Sequence, residues 1–222
     1  MRKGQQGFTL IEIAIVLVII GLLLGGVLKG QELIQNARVR NIIAQQDGIK
    51  AAFFGFQDRY RGIPGDYSSA NANTNIPGAG TICGGNGNSL IDTNAEAACA
   101  WYQLSKAGFI SGNYTGLLTG SSPFFDSSNS PINPFGGVVQ LIFDNVYADA
   151  SSTPPSVHNI KTGTNIPATV LAEIDRKIDD GLPATGNFRF SIWQNSLAAN
   201  CINGTNWAIL STATQCGGVS LF

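Results

Sequence analysis

Few residues in this chain have the type and spacing to do chemistry, and the most unusual is a single carboxylate. Glu12 is the one charged residue in an apolar run from residue 8 to residue 28. A helix rises about 1.5 Å per residue, so this run can cross a bilayer's hydrocarbon layer, which is about 30 Å thick. A carboxylate at the centre of a spanning helix costs on the order of 2.5–3.5 kcal/mol. Because Glu12 is five residues into the run, its carboxylate either extends to the headgroups or awaits a positive partner.

Four cysteines are the second set of reactive residues, and they form two pairs that are close in sequence. Three connectivities are possible for four cysteines, and we favour the local pairs Cys83–Cys99 and Cys201–Cys216. Each such loop would contribute roughly 3 kcal/mol to stability in the chain-entropy model. Neither pair has the C-x-x-C spacing of a structural zinc site, so an oxidising compartment fits better.

Catalytic residues are scarce. His158 is the only histidine, and it ends a stretch rich in proline and serine at residues 153–158. The chain has no G-x-S-x-G elbow, no H-E-x-x-H motif and no phosphate-binding loop. We therefore predict that the protein is not an enzyme.

Three carboxylates, Asp175, Asp179 and Asp180, are the candidates for a metal site. Calcium prefers oxygen ligands of this kind, but no spacing here matches a calcium loop. Arg176 and Lys177 alternate with the acids, and the four-residue spacing of Asp175 and Asp179 favours a solvated helix face. We predict no metal and no cofactor, with calcium at these three residues as the alternative.

The composition limits the kind of partner that the chain can bind. Its formal net charge is −1 and only 12% of its residues are charged, so neither a nucleic-acid surface nor an acidic disordered segment is indicated. Its 222 residues suffice for one or two domains with a sizeable core. The 27 glycines favour a loop-rich protein of the secreted kind.

The residues that flank the apolar run predict its orientation. Arg2 and Lys3 favour a cytoplasmic N-terminus, with most of the chain on the other side of the membrane, although Arg38 and Arg40 beyond the run weaken this inference. The run is longer than the apolar region of a secretory signal, and residues 29–32 are not a small-residue cleavage site. We therefore expect the run to remain in the protein.

The residues around Glu12 resemble the processing motif of type IV prepilins and of the related pseudopilins of type II secretion systems: Gly7-Phe8-Thr9-Leu10-Ile11-Glu12. In that family a prepilin peptidase cuts after the glycine and methylates the new first residue, which implies cleavage after Gly7 and N-methylation of Phe8. The family's glutamate is thought to meet the N-terminal amine of a neighbouring subunit, so Glu12, with Thr9 in the same motif, would act in assembly. One departure is Gln6, where many prepilins have Lys or Arg.

The resemblance also implies a fold. It is an α+β, pilin-like fold in which a long N-terminal helix packs on a C-terminal antiparallel sheet with short extra helices. The chain would then have a leader at residues 1–7, a transmembrane and assembly helix at 8–30, an amphipathic continuation at 31–60 and a disulfide-stabilised head at 61–222.

Three glycines, Gly21, Gly25 and Gly26, lie in the distal half of the apolar run. Each costs about 1 kcal/mol relative to alanine inside a helix, so they serve either close helix packing or local unwinding. Related pilins unwind between a glycine that matches Gly21 and a proline, whereas this chain has Lys29 at the position of the proline.

The helical pattern continues to residue 60 without a proline, which predicts one long helix. Its larger apolar residues, Ile42, Ile49, Phe53 and Phe56, are spaced 7, 4 and 3 apart and fall on one stripe that suits packing against the chain's own head. A second stripe, of mostly small residues, suits contact with neighbouring helices in a filament or burial in the same domain: Leu33, Ile34, Ala37, Ala44, Ala51 and Ala52.

The head combines helices and strands. A capping box from Thr93 to Glu96 predicts a helix over residues 93–108, and a second helix is expected at 167–180. Residues 68–88 have the composition of a loop. The predicted strands are 138–143, 188–193, 207–210 and 219–222.

Together these features favour a structural subunit of a type IV pilus or a type II secretion pseudopilus. It would be inserted in the inner membrane with a periplasmic head and then polymerised into a periplasmic pseudopilus or an extracellular pilus. Its partners would be identical or related pilin subunits, prepilin peptidase, the inner-membrane assembly platform and membrane lipid, without a specific nucleic acid. A mature length of about 215 residues with two disulfides is large for a major subunit, so a minor, tip-located subunit is included. The alternative is a membrane-anchored periplasmic binding or enzymatic domain that never polymerises.

Overall fold

The computed structural model describes residues 9–80, 82–118, 125–151, 153–211 and 213–222. The predicted processing site, Gly7 and Phe8, lies outside these residues. The chain divides into two compact units, Met1–Arg38 and Val39–Phe222.

The first helix, α1, spans Leu10–Tyr60. It contains a stretch that is long and apolar enough to cross a bilayer, and none of that stretch is buried. Its described side chains from Leu10 to Leu28 are all exposed. The apolar surface of this unit is therefore available to lipid or to other chains.

Within the second unit, α1 buries the stripe that the sequence predicts. Ile42, Ile49, Phe53 and Phe56 are all buried, because their spacing keeps them on one face of the helix. Of the small-residue stripe, Ala52 is buried. Ala44 and Ala51 of the same stripe are exposed.

The head adopts the α+β, pilin-like architecture predicted from the sequence. Four antiparallel strands form one sheet in the order β1-β2-β6-β3, and a two-residue hairpin, β4-β5, lies apart from it. The elements are α2 (Ser69–Asn75), α3 (Asn94–Lys106), β1 (Gln140–Asp144), β2 (Val157–Lys161), α4 (Ala168–Ile178), β3 (Phe188–Ser191), a 3₁₀ turn (Trp193–Asn195), α5 (Ala198–Cys201), β4 (Ile202–Asn203), β5 (Asn206–Trp207) and β6 (Gly217–Leu221).

Two apolar clusters fill the head. The first core joins α1 and α3 to one end of the sheet through buried side chains that include Phe53, Phe56, Trp101, Leu104, Leu141 and Ile160. The second core joins α1 and α4 to the other end through Val39, Ile42, Leu171, Ile174, Phe188, Phe190 and Trp207.

Each core has its own disulfide. The structure contains Cys83–Cys99 and Cys201–Cys216, which confirms the local pairing. Cys99 lies in α3, and Cys83 packs against the first core. Cys201 and Cys216 are both buried in the second core.

Loop residues cover both outer strands of the sheet. On β1, the N–H of Phe143 donates to the carbonyl of Ile91 at 2.7 Å. On β3, the N–H groups of Phe190 and Phe188 donate to the Pro183 carbonyl and the Asp179 carboxylate, each at 2.8 Å. These backbone groups are thus satisfied within the chain.

Two local predictions were wrong, and one strand was missed. Residues 69–75 form α2 rather than loop, because Ser68 caps the helix and Ala72 is buried. Residues 157–161 form β2, which was missed because its polar side chains find partners far away in the sequence. Of the predicted strand 207–210, only Trp207 belongs to a strand, β5, and Leu210 is 94% exposed.

Candidate assembly site and the buried polar groups of the head

Thr9 and Glu12 form a reciprocal pair at the start of α1. The Thr9 backbone N–H and hydroxyl both donate to Oε2 of Glu12, each at 2.8 Å, and the Glu12 N–H donates to the Thr9 hydroxyl oxygen at 3.3 Å. This is a capping box, which satisfies backbone donors that the first helical turn leaves free. The T-x-x-E spacing carries this signal, and sequence reasoning missed it.

The pair uses only one of the two carboxylate oxygens. Within the described part of the chain, Oε1 of Glu12 accepts no hydrogen bond, whereas Oε2 accepts two. Both residues are exposed. Glu12 can therefore cap its own helix and still accept a donor from another molecule.

The predicted packing glycines have open surroundings. A Cβ added at Gly21, Gly25 or Gly26 would meet nothing within 4 Å. The helix runs through all three without interruption. Their roles in packing or unwinding remain predictions that concern other subunits.

A surface ion pair follows the apolar run. Lys29 donates to Glu32 at 2.8 Å, and both side chains are well exposed. Lys29 is the first charged residue after Glu12, so this pair marks the end of the apolar run.

In the head, the three predicted calcium ligands come together, but not on a solvated face. Oxygen atoms of Asp175, Asp179 and Asp180 all lie within 4.8 Å of one another. Asp175 is fully buried, which corrects the expectation of a surface residue. Its carboxylate accepts the indole N–H of Trp207 at 2.7 Å and the N–H of Gly181 at 3.1 Å.

Burial also changes the chemistry of Asp175. It raises the pKa of Asp175 to about 6, against the lowering effect of the hydrogen bonds from Trp207 and Gly181. The other two carboxylates hold nearby loops: Asp179 accepts the backbone N–H groups of Asn187 and Phe188, and Asp180 accepts that of Leu182 at 2.9 Å. The cluster thus has a structural role. The prediction of no metal is untested, and calcium binding remains the alternative to it.

His158 belongs to an aromatic group. Its ring lies 5.4 Å from that of Phe53 and 5.0 Å from that of Phe143, measured between centroids. Nε2 accepts the backbone N–H of Ile91 at 3.4 Å, and burial lowers the pKa of His158. These contacts give the histidine a packing role in its neutral form.

A buried ionic group on the sheet was not predicted. Lys161, on β2, is 1% exposed and pairs with Asp144 on β1, which also accepts the side-chain amide of Asn159 at 3.0 Å. The lysine ammonium lies 6.0 Å from the centroid of the Trp193 ring. The sequence gives no clear signal for this group, because three of the five residues of β2 are polar and β2 itself was missed.

Comparison with known families bears on the N-terminal residues. Residues 2–28 match the family described as the prokaryotic N-terminal methylation motif. The chain carries the hallmark of type IV prepilins and pseudopilins. No curated protein and no solved structure matches it.

The matched residues include the whole capping box, Thr9 to Glu12, and the whole apolar run, residues 8–28. This motif belongs to structural subunits rather than to enzymes. The motif and the long apolar helix fit a type IV pilin or pseudopilin precursor and are consistent with inner-membrane anchoring.

Proposed function

We propose that the protein is a filament subunit of the pilin class, cleaved after Gly7, methylated on Phe8 and polymerised through the apolar part of α1. The observation that carries this proposal is the matched motif at the head of a helix whose side chains from Leu10 to Leu28 are all exposed. Such a surface is stable only when lipid or other helices cover it. Prepilin peptidase and an inner-membrane assembly platform would be its transient partners.

The capping box supports a two-stage role for Glu12. In the membrane-anchored subunit, Oε2 accepts its two bonds from Thr9, so the carboxylate is partly satisfied. In a filament, Oε1 would accept the N-terminal amine of a neighbouring subunit. A charge pair in an apolar setting is favourable only when both members are satisfied, so this contact would fix the register between subunits.

The orientation follows from the charges around the run. Arg2 and Lys3 favour a cytoplasmic N-terminus, which would leave the disulfide-bonded head in the oxidising periplasm. The finished filament would be a periplasmic pseudopilus or an extracellular pilus. Deletion of the gene in the native host tests this choice, because loss of surface filaments indicates a pilus and loss of protein secretion indicates a pseudopilus.

Glu12→Ala tests the assembly role. We expect the amount of filament in the native host to fall by about tenfold or more, which corresponds to about 1.4 kcal/mol per subunit contact, while the protein level in the membrane is unchanged. Glu32→Ala is the matched control, because this carboxylate lies on the same helix beyond the apolar run and pairs with Lys29. Normal filaments from Glu12→Ala would favour the alternative, a membrane-anchored binding or enzymatic domain that does not polymerise.

The processing step has an independent test. Mass spectrometry of the protein from its native host should find an N-terminus at N-methylated Phe8. A mature protein that retains residues 1–7 would contradict the processing proposal.

A further inference from the structure

The buried ionic group on the sheet brings an amine, an amide and a carboxylate together. Lys161 is 1% exposed and Asn159 is fully buried, and both side chains belong to β2. The carboxylate of Asp144, on the neighbouring strand β1, contacts both of them. The side chain of Trp193 lies over the same place, 6.0 Å from the lysine nitrogen.

The register of the strands explains how one carboxylate reaches both groups. Asp144 pairs with Val157, whereas Lys161 lies opposite Gln140 at the other end of the ladder. Alternate residues of a strand share a face, so Asn159 lies between Lys161 and the position of Asp144. To reach Asp144, the lysine side chain must run back along the strand past Asn159.

The Asn159 side chain is only half satisfied. Its Nδ2 donates to Oδ1 of Asp144 at 3.0 Å and to the carbonyl of Val157 at 3.0 Å. Its buried carbonyl oxygen, Oδ1, has no hydrogen-bond partner in the described part of the chain. An unsatisfied carbonyl in an apolar setting is costly, and here it belongs to a carbon that an amine can attack.

We propose that Lys161 and Asn159 become joined by an intramolecular amide bond, with Asp144 as the catalytic residue. The ion pair first transfers a proton from the ammonium to Asp144, which frees the lysine lone pair. Nζ then attacks Cγ of Asn159, the new Nζ–Cγ bond forms, and the Cγ–Nδ2 bond breaks. The protonated Asp144 gives its proton to the leaving nitrogen and then takes the remaining extra proton from Nζ, so that one NH₃ is released and Asp144 is left protonated. The released NH₃ carries this last proton away as NH₄⁺, which regenerates the carboxylate.

Two physical effects favour this step. Both side chains are held against the same carboxylate. Groups held close together react as if at very high concentration, up to about 10⁵–10⁸ M for well-oriented pairs, and a positioned carboxylate adds general acid–base catalysis. Burial lowers the pKa of Lys161, although the Asp144 charge opposes this effect, so the neutral amine is more accessible than in water. The product removes the buried ammonium charge, and the carbonyl of Asn159 becomes the carbonyl of the new, neutral amide.

The mass of the full-length protein, purified in detergent, tests the proposal directly. After denaturation and reduction, we expect the chain to be lighter by one ammonia than the mass calculated from its sequence and from the N-terminus that the same spectra identify. Trypsin should fail to cut after Lys161, and fragmentation of that peptide should place the loss between Asn159 and Lys161. Because the test uses the unaltered chain, it does not depend on the folding of a variant.

Variants distinguish the bond from other losses of ammonia. Lys161→Arg and Asp144→Ala should both restore the full mass, whereas Lys177→Arg, at a surface lysine paired with Glu173, should keep the reduced mass. An asparagine that cyclises on its own backbone also loses ammonia, but that loss would persist in Lys161→Arg. A full mass with normal cleavage after Lys161, or loss of water with a link to Asp144, would overturn the proposal.

Discussion

The two cores of the head are alike in construction and differ in how they treat polar groups. Each packs α1 and a second long helix, α3 or α4, against an end of the sheet, and each is closed by one local disulfide. In the first core, the indole nitrogen of Trp101 is buried without a hydrogen-bond partner among the described residues. In the second, the indole nitrogen of Trp207 donates to the buried Asp175.

This difference separates two ways of holding a helix on a sheet. The first core relies on apolar area, and His158 beside it is neutral and packed among aromatic rings. The second core adds the hydrogen bond from Trp207 to Asp175, and the pKa of Asp175, about 6, is close to neutral pH. We therefore expect the first core to be sensitive to lost volume and the second to lost hydrogen bonds and to pH.

Trp101→Ala should have the largest effect on the comparison. The side chain is fully buried, and removal of a buried Trp or Phe costs about 3–5 kcal/mol because a cavity remains. Chemical unfolding of the detergent-solubilised protein, followed by circular dichroism, measures this free energy. A loss below about 1 kcal/mol would contradict the view that apolar area holds the first core.

Replacing each tryptophan by phenylalanine sharpens the contrast. Both changes remove similar volume, but Trp207→Phe also leaves Asp175 without its indole donor, whereas Trp101→Phe removes a donor that had no partner among the described residues. We expect Trp207→Phe to cost about 1–3 kcal/mol more than Trp101→Phe. Equal costs in the same unfolding experiment would mean that the bond to Asp175 contributes nothing.

The pH dependence of the second core has a definite sign. The folded pKa of Asp175, about 6, lies above its ordinary value, so the protonated form is favoured in the folded state. Its contribution is fully present below pH of about 3.9 and is lost as pH rises through 6, with a slope of at most about 1.4 kcal/mol per pH unit. Asp175→Asn should flatten stability between pH 4 and pH 6, and an unchanged slope would count against this assignment.

His158 should act in the opposite direction and more weakly. Burial lowers its pKa, so its contribution is present above pH of about 6.5 and is lost as pH falls through the lower folded value. His158→Gln, which cannot be protonated, should make the protein less sensitive to acid by under about 1.4 kcal/mol per pH unit. An increase in acid sensitivity would show that the histidine does not need to be neutral.

Sequence patterns predicted the elements whose partners lie nearby. The Ile42 to Phe56 stripe, the Thr93–Glu96 capping box and the two local disulfides were all confirmed, because each depends on spacing within a short segment. The Thr9–Glu12 capping box is equally local, so the sequence contained its signal, but it was overlooked.

Features that depend on distant partners were missed. Strand β2 carries His158, Asn159 and Lys161, which look like loop residues until Ile91 and Asp144 supply their hydrogen bonds. The sequence predicts Asp175 to be a surface residue, whereas in the structure it is buried and bound by Trp207, 32 residues further along the chain. The burial of a polar residue cannot be predicted from a single sequence, because it depends on which hydrogen-bond partners the fold brings to that residue.

The covered edges of the sheet affect how neighbouring copies of this chain can contact one another. Phe143, Phe188 and Phe190 already donate their N–H groups to the chain itself, so these donors cannot recruit a strand from a neighbour. Heads crowded side by side are then protected at these positions from growing a continuous cross-β ladder. At these positions, contacts between neighbouring copies would have to be made by helices and side chains rather than by an added strand.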